Sequence, residues 1–380
     1  MFPPRKLEGT GDKVEAVTEM LRQIAYERGP DEKMPTTREI RGALGVGMAT
    51  LDNALNELEA QNVLYRRHGV GIFVSPRLNR KTVAVLLDAT FFLTPGLSPF
   101  WSMLWGGLAR EAQARTETRD ETFLFNLVTT ERAADYPLPD MLARQVAAGQ
   151  VHAAIAIGLQ EAADDYLERA RVPVVGFAGA GRPMVENDGR DVVREGVAAL
   201  AEQGCTRIGL WRPVTPYRQV APDIARALEE TAAFREALAA HGRTFDEALV
   251  RQPLDLIREE TPTTQTHQEQ GYRLATEVFG EGGANGARPD GIVVTDDMMT
   301  SGVLAALSHL DLRAGRDVRI ATHSNHGSPI LFGYEPDLVR IEADPAEIVR
   351  TLYACLDRHL AGQPVEEGVV TLALRRAAAP

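Results

Sequence analysis

Asp296 and Asp297 are two adjacent carboxylates that directly follow a short apolar run, Gly291–Thr295, and directly precede a helical stretch. Carboxylates so placed can hold a divalent cation, accept hydrogen bonds from ligand hydroxyls, or cap the helix. Asp88 closes another apolar run, Val83–Asp88, and beyond it stand Phe91, Phe92, Phe100 and Trp101, with Ser102. Their aromatic faces suit stacking on a ring or a sugar and suit ordinary packing equally well. His323 and His326 lie three apart with no third ligand placed, so no metal is expected. The phosphate loop GxxxxGKS/T, the nucleophile elbow GxSxG, HExxH and a GxGxxG after a strand are missing from the sequence. Catalysis is therefore not indicated, and no cofactor is expected.

A second, basic set lies near the start: Arg38, Arg41, Arg66, Arg67 and His68. The 380 residues carry 41 Lys/Arg against 53 Asp/Glu, a net charge of −12. Residues 1–80 hold 12 basic and 11 acidic side chains, and the remainder holds 29 and 42. An acidic body repels phosphate backbones, so contact with nucleic acid is confined to the head. The length suits two or three cores of ~150 residues, and 44% apolar with 25% charged residues describes a folded chain. Cys205 and Cys355 stand far apart without a CxxC, which fits a reducing compartment. No apolar run reaches the ~18 residues of a membrane span, and the first residues lack the apolar core of an export signal. A cytoplasmic location is expected.

The elements that position the basic set follow from spacing. Val14, Val17, Leu21, Ile24 and Ala25 mark a helix over 14–28 that Gly29-Pro30 stops. Thr36 or Thr37 caps a short second helix with Ile40, Ala43 and Leu44 inward, and Gly45-Val46-Gly47 turns into a third over 48–61. Two apolar runs, 63–65 and 72–74, flank Arg66-Arg67-His68-Gly69-Val70-Gly71, a hairpin with a basic, glycine-bearing tip. Together these predict a winged helix-turn-helix over 1–76. After a polar joint, 77–81, the pattern changes to short apolar runs at 83–88, 123–128, 153–158 and 172–177. A second set follows at 207–211, 248–250, 291–295 and 318–322, with helical stretches between. Such alternation indicates α/β lobes on parallel sheets buried on both faces.

Met34-Pro35-Thr36-Thr37-Arg38-Glu39-Ile40, Leu44-Gly45-Val46 and Tyr65-Arg66-Arg67-His68-Gly69-Val70-Gly71 resemble the DNA-binding head of the GntR family of bacterial repressors. The resemblance implies that Thr36, Thr37, Arg38, Gly47, Met48, Ala49, Thr50, Arg66, Arg67, His68 and Gly69 face DNA. Met48 and Asp52 stand where the family commonly has arginines, so phosphate contact and base preference should differ from the usual operator. Val172–Phe177, Val185-Glu186-Asn187-Asp188-Gly189, Ala199–Leu210, Arg288–Gly302 and Glu335–Pro345 resemble the periplasmic-binding-protein-like (type I) sensor domain of LacI-type regulators. That resemblance implies two lobes over 82–380, the first 82–186 with 344–364 and the second 187–343 with 365–380, and a ligand in the cleft between them. A GntR head on a LacI-like body is similar to the arabinose-repressor architecture.

By the same pattern the ligand residues are Asp88, Phe91, Trp101, Ser102, Asn187, Arg218, Glu230, Thr266, Asp296, Asp297, Ser324 and Asn325. Segment 322–326 is expected as a turn in which Ser324 or Asn325 replaces a binding aspartate. Glu230 takes the place of a clamping arginine, which leaves Arg218 to supply one. The cleft therefore reads as acidic and suited to a polyhydroxyl or cationic ligand, with a sugar the first expectation. The implied protein is a dimeric, ligand-responsive repressor on a palindromic DNA operator. A cytoplasmic small-molecule binding protein whose winged head serves protein contacts is the alternative.

Overall fold

Apolar residues three and four apart build the head, α1 (Gly11–Arg28), α2 (Thr37–Leu44) and α3 (Met48–Ala60), followed by the hairpin β1 (Leu64–Arg67) and β2 (Gly71–Val74). Leu21, Ile40, Leu51, Leu55, Leu58, Leu64 and Val74, from all five elements, meet in one buried core. The hairpin is antiparallel, with Leu64 opposite Val74 and Arg67 opposite Gly71. Thr36 caps α2 in a reciprocal box with Glu39, satisfying two backbone donors at once. Gly45 ends α2 at φ 64°, a left-handed conformation that a side chain rarely adopts. The computed structural model describes residues 11–78, 80–89, 98–128, 138–159, 161–214, 221–252, 265–280, 288–365 and 368–378.

By contacts the chain divides into two compact units. One comprises Met1–Asp88, Glu111–Pro183 and Ala354–Glu367, and the other Ala89–Arg110, Met184–Tyr353 and Gly368–Pro380. In the first unit, β3 (Lys81–Asp88), β4 (Glu121–Val128), β5 (Ala153–Ile157) and β6 (Val174–Phe177) run parallel in the order β4-β3-β5-β6. All five residues of β5 are buried, as its central place requires.

In the second unit, β7 (Met184–Asn187) pairs parallel with β13 (Val369–Leu372). A six-stranded sheet follows the order β14-β12-β11-β10-β8-β9, from β8 (Ile208–Trp211), β9 (Val250–Arg251), β10 (Gly291–Val294), β11 (Arg319–Asn325), β12 (Leu338–Ala343) and β14 (Arg375–Arg376). Only β14 runs antiparallel to its neighbour. Four helices of this unit bear on the candidate site: α4 (Gly189–Glu202), α5 (Ala221–Ala240), α6 (His267–Phe279) and α7 (Asp297–His309). Because the five parallel strands point one way, their carboxyl ends gather along one edge, where such sheets present ligand residues.

Two local expectations fail. Segment 322–325 is not a turn: β11 continues through Asn325, which pairs with Ala343 of β12. The long partner strand supplies a ladder that local polarity did not suggest. Residues 247–249 form a 3-10 turn, and only Val250 and Arg251 join the sheet, at its edge.

Candidate DNA-reading face and effector site

The face of α3 opposite its buried stripe presents Met48, Ala49, Asn53 and Asn56 to solvent, with Gly47 as N-cap and Thr50 and Asp52 half-buried. Arg38 and Arg41 stand exposed on α2, and His68 and Gly69 at the wing tip, with Gly69 at φ 73°. Thr36 is committed to its cap, and Thr37 opens α2. The two wing arginines part company because neighbouring strand residues point to opposite faces. Arg66 reaches α3, donating to Asn56 Oδ1 at 3.1 Å and lying 3.3 Å from Glu59. Arg67 stacks over Phe73 at 4.8 Å and Tyr65 at 5.3 Å, and donates to the Tyr65 hydroxyl at 2.9 Å. The first thus braces the wing against α3, while the second rides on an aromatic shelf.

At the carboxyl edge of the second unit's sheet, Asp296 and Asp297 divide their tasks. Asp296 caps α7 by accepting from Met299 N–H at 2.7 Å, and its other oxygen meets His267 Nδ1 at 3.0 Å. Burial works to raise the Asp296 carboxyl, but His267 and the cap bond outweigh it and hold it below the usual carboxylate range. Asp297 is 1% exposed and accepts from Asn325 Nδ2 at 3.1 Å. Burial first, and the adjacent Asp296 second, push its carboxyl up to about 7. Thr300 and Thr322 share a 2.7 Å hydrogen bond beneath the pair. Ser324 Oγ is buried with no hydrogen-bond partner among the described residues, and burial pushes the neighbouring His323 down.

Two helices hold this cluster because they nearly touch. The space a Cβ would need at Gly271 of α6 is filled by the carbonyl oxygen of Met299, and at Gly302 of α7 by that of Gln268. Backbone cannot yield as a side chain can. Gly302→Ala is expected to part the helices, lengthen the His267–Asp296 contact and cost about 2 kcal/mol. A urea midpoint equal to the parent's would refute that tight packing.

Arg212, at the end of β8, went unnoticed in the sequence, where it lay in no motif. It is 7% exposed, donates to Ala227 O at 2.7 Å and Thr231 Oγ1 at 2.8 Å, and lies 3.9 Å from Glu230. Burial lowers its affinity for its proton, and Glu230 partly restores it. Glu230 is itself buried, and a Cβ on Gly189 would lie 3.3 Å from its Oε1. Three of the acids expected to make the site acidic thus have partners in the second unit: Glu230 faces a guanidinium, Asp296 faces His267, and Asp297 faces an amide.

The remaining predicted residues are scattered by role. Asp188 caps α4 and binds Arg190 at 2.7 Å, beside Asn187 at the end of β7. Thr266 caps α6 in a box with Glu269. Trp101 meets the Phe100 ring edge-on at 4.9 Å, and Ser102 donates to Pro99 O at 2.8 Å. Asp88 is buried at the end of β3 in the first unit. Phe91 and Arg218 lie outside the described residues. No group of three or more metal-binding side chains occurs among the described residues, and no helix among them is long and apolar enough to cross a membrane.

Residues 13–74 match the family model of bacterial regulatory proteins, gntR family, and residues 197–376 that of the periplasmic binding protein-like domain. No curated protein matches the chain by sequence. Solved structures with the same fold include a regulatory protein of the LacI family from Chloroflexus aggregans, with TM-score 0.59 and 17% identity, covering 78% of this chain and 97% of that one. The transcriptional regulator CelR in complex with cellobiose has TM-score 0.55 and 19% identity, over 98% and 99% of the two chains. A LacI family transcriptional regulator from Enterococcus faecium with bound ribose gives 0.54 and 18%, over 78% and 97%. By its two domain matches in this order, the chain joins a GntR-type bacterial regulatory head to a periplasmic-binding-protein-like domain, and its fold is that of LacI-family regulators.

Proposed function

We propose that the chain is a cytoplasmic repressor, acting as a homodimer on a palindromic operator, whose DNA binding is set by a small neutral polyhydroxyl ligand, a sugar. The observation that carries the ligand class is the charge pairing at the carboxyl edge of the second unit's sheet. Arg212 with Glu230, and Asp296 with His267, leave donors and acceptors there with little net charge. Hydroxyls both donate and accept, so they match such a lining better than an ion does. Asp297, Ser324 and Asn325, together with Arg212 and Glu230, are the side chains proposed to contact the ligand. The cellobiose and ribose bound by similarly folded regulators support the same class.

Arg38, Arg67 and His68 are proposed to meet the DNA backbone, and α3 the bases. A ligand that prefers one arrangement of the effector domain would shift the balance between bound and free DNA by that preference alone. Selection of duplexes from a random pool, followed by gel shift with cellobiose, ribose and other sugars titrated in, tests the reading. A selected duplex released by one of them is expected. Failure of the full chain to bind any duplex above random DNA at moderate salt would defeat it.

A further inference from the structure

Helix α3 presents a recognition surface without a single basic residue: its sequence is MATLDNALNELEA. Of its three carboxylates, two are occupied within the protein. Glu57 accepts from Thr18 Oγ1 at 3.1 Å and from Gln61 Nε2 at 3.3 Å, and Glu59 faces Arg66 at 3.3 Å. Asp52 has no hydrogen-bond or ion-pair partner among the described residues. It sits one turn beyond Met48, which is 45% exposed, on the flank of α3 that also carries Asn56 and Glu59, the two residues Arg66 braces. Arg66 is thereby held away from Asp52's task, and the first turns of α3 are the part a recognition helix brings to the base edges.

An ionised carboxylate only accepts hydrogen bonds, and among phosphates it is repelled unless a donor meets it. The major groove offers two donors, the cytosine N4 amine and the adenine N6 amine. Adenine's amine lies between two acceptors, its own N7 and thymine O4, whereas cytosine's has an acceptor on one side only. We infer that Asp52 is a specificity-determining residue that selects a cytosine in each operator half-site, the carboxylate excluding guanine and thymine there by repulsion as much as it rewards cytosine. The inference rests on the regulator reading and deepens it by naming what the unusual helix reads.

The test uses the full chain with duplexes selected from a random pool, then competition with point-substituted duplexes at fixed moderate salt. The parent should favour cytosine at one position per half-site, by roughly 5- to 150-fold over guanine or thymine. Asp52→Ala should flatten preference at that position and leave the others unchanged, and Asp52→Asn should move it toward adenine, which an amide pairs with bidentately. Thermal melts of both variants matching the parent exclude misfolding as the cause. If Asp52→Ala keeps every base preference and merely binds all duplexes more tightly, Asp52 is only a repulsive charge and the inference is overturned. If the parent selects no duplex at all, the regulator reading itself falls, a result distinct from the former.

Discussion

Arg212→Met is expected to unfold the effector domain at a temperature roughly 6–12 °C below the parent's, a loss of about 3 kcal/mol. Methionine fills much of the arginine stem's space, so the loss is polar rather than steric. It takes one donor each from the Ala227 carbonyl and the Thr231 hydroxyl, which Arg212 reaches at 2.7 and 2.8 Å, and leaves them the 2.6 Å bond that Thr231 donates to Ala227 O. It also leaves the Glu230 carboxylate, 4% exposed, without the guanidinium 3.9 Å away. Removing one member of a buried pair costs far more than the pair contributes, because the survivor keeps its desolvation penalty. Adding Glu230→Gln to Arg212→Met should therefore recover part of the loss. Thermal melts of the three proteins decide it. A single mutant that melts within a degree of the parent, or a double mutant less stable than Arg212→Met alone, would show that the two side chains do not depend on each other.

The same pair shows what sequence can and cannot reveal here. The head was legible because its elements are local: the stripe of Leu51, Ala54, Leu55 and Leu58 and the Thr36/Glu39 box each lie within one helix or its cap. The apolar runs of the central strands were legible for a related reason, since burial on both faces leaves little room for polar residues. Strands β12 to β14 were not, because their many half-exposed or exposed positions break the apolar run, and the extension of β11 to Asn325 was not, because its buried residues are polar and depend on a distant partner for their ladder. Asp296 and Asp297 were found from their place after a strand, yet their different charge states depend on His267, which lies 29 residues away from Asp296 in sequence. Arg212 sits 18 residues from Glu230, and no periodicity joins the end of a strand to the middle of a helix. Hence an acidic site was expected where Glu230, Asp296 and Asp297 each face a partner distant in sequence.

Those charge states make a pH-dependent prediction of similar size. The Asp297 carboxyl has its pKa raised to about 7 in the folded protein, from an ordinary 3.8. A raised acid binds its proton more tightly when folded, so between about pH 4 and 7 the folded state holds more protons than the unfolded one, and stability falls as pH rises. Below that window the group contributes no slope, and above it the loss is complete and constant. Asp296, held low by His267, tilts the other way, but only at acid pH. Asp297→Asn removes the titration while an amide oxygen can still accept from Asn325 Nδ2. The variant should match the parent near pH 4, draw ahead as pH rises, and hold a margin on the order of 2–4 kcal/mol at pH 8, since each unit of difference is worth ~1.36 kcal/mol. Urea unfolding at pH 4, 6 and 8 measures it. Parallel curves across that range would mean that Asp297 is ionised without penalty, in which case Asp296 and His267 could not be the settled pair that fixes the start of α7 beside the proposed ligand contacts.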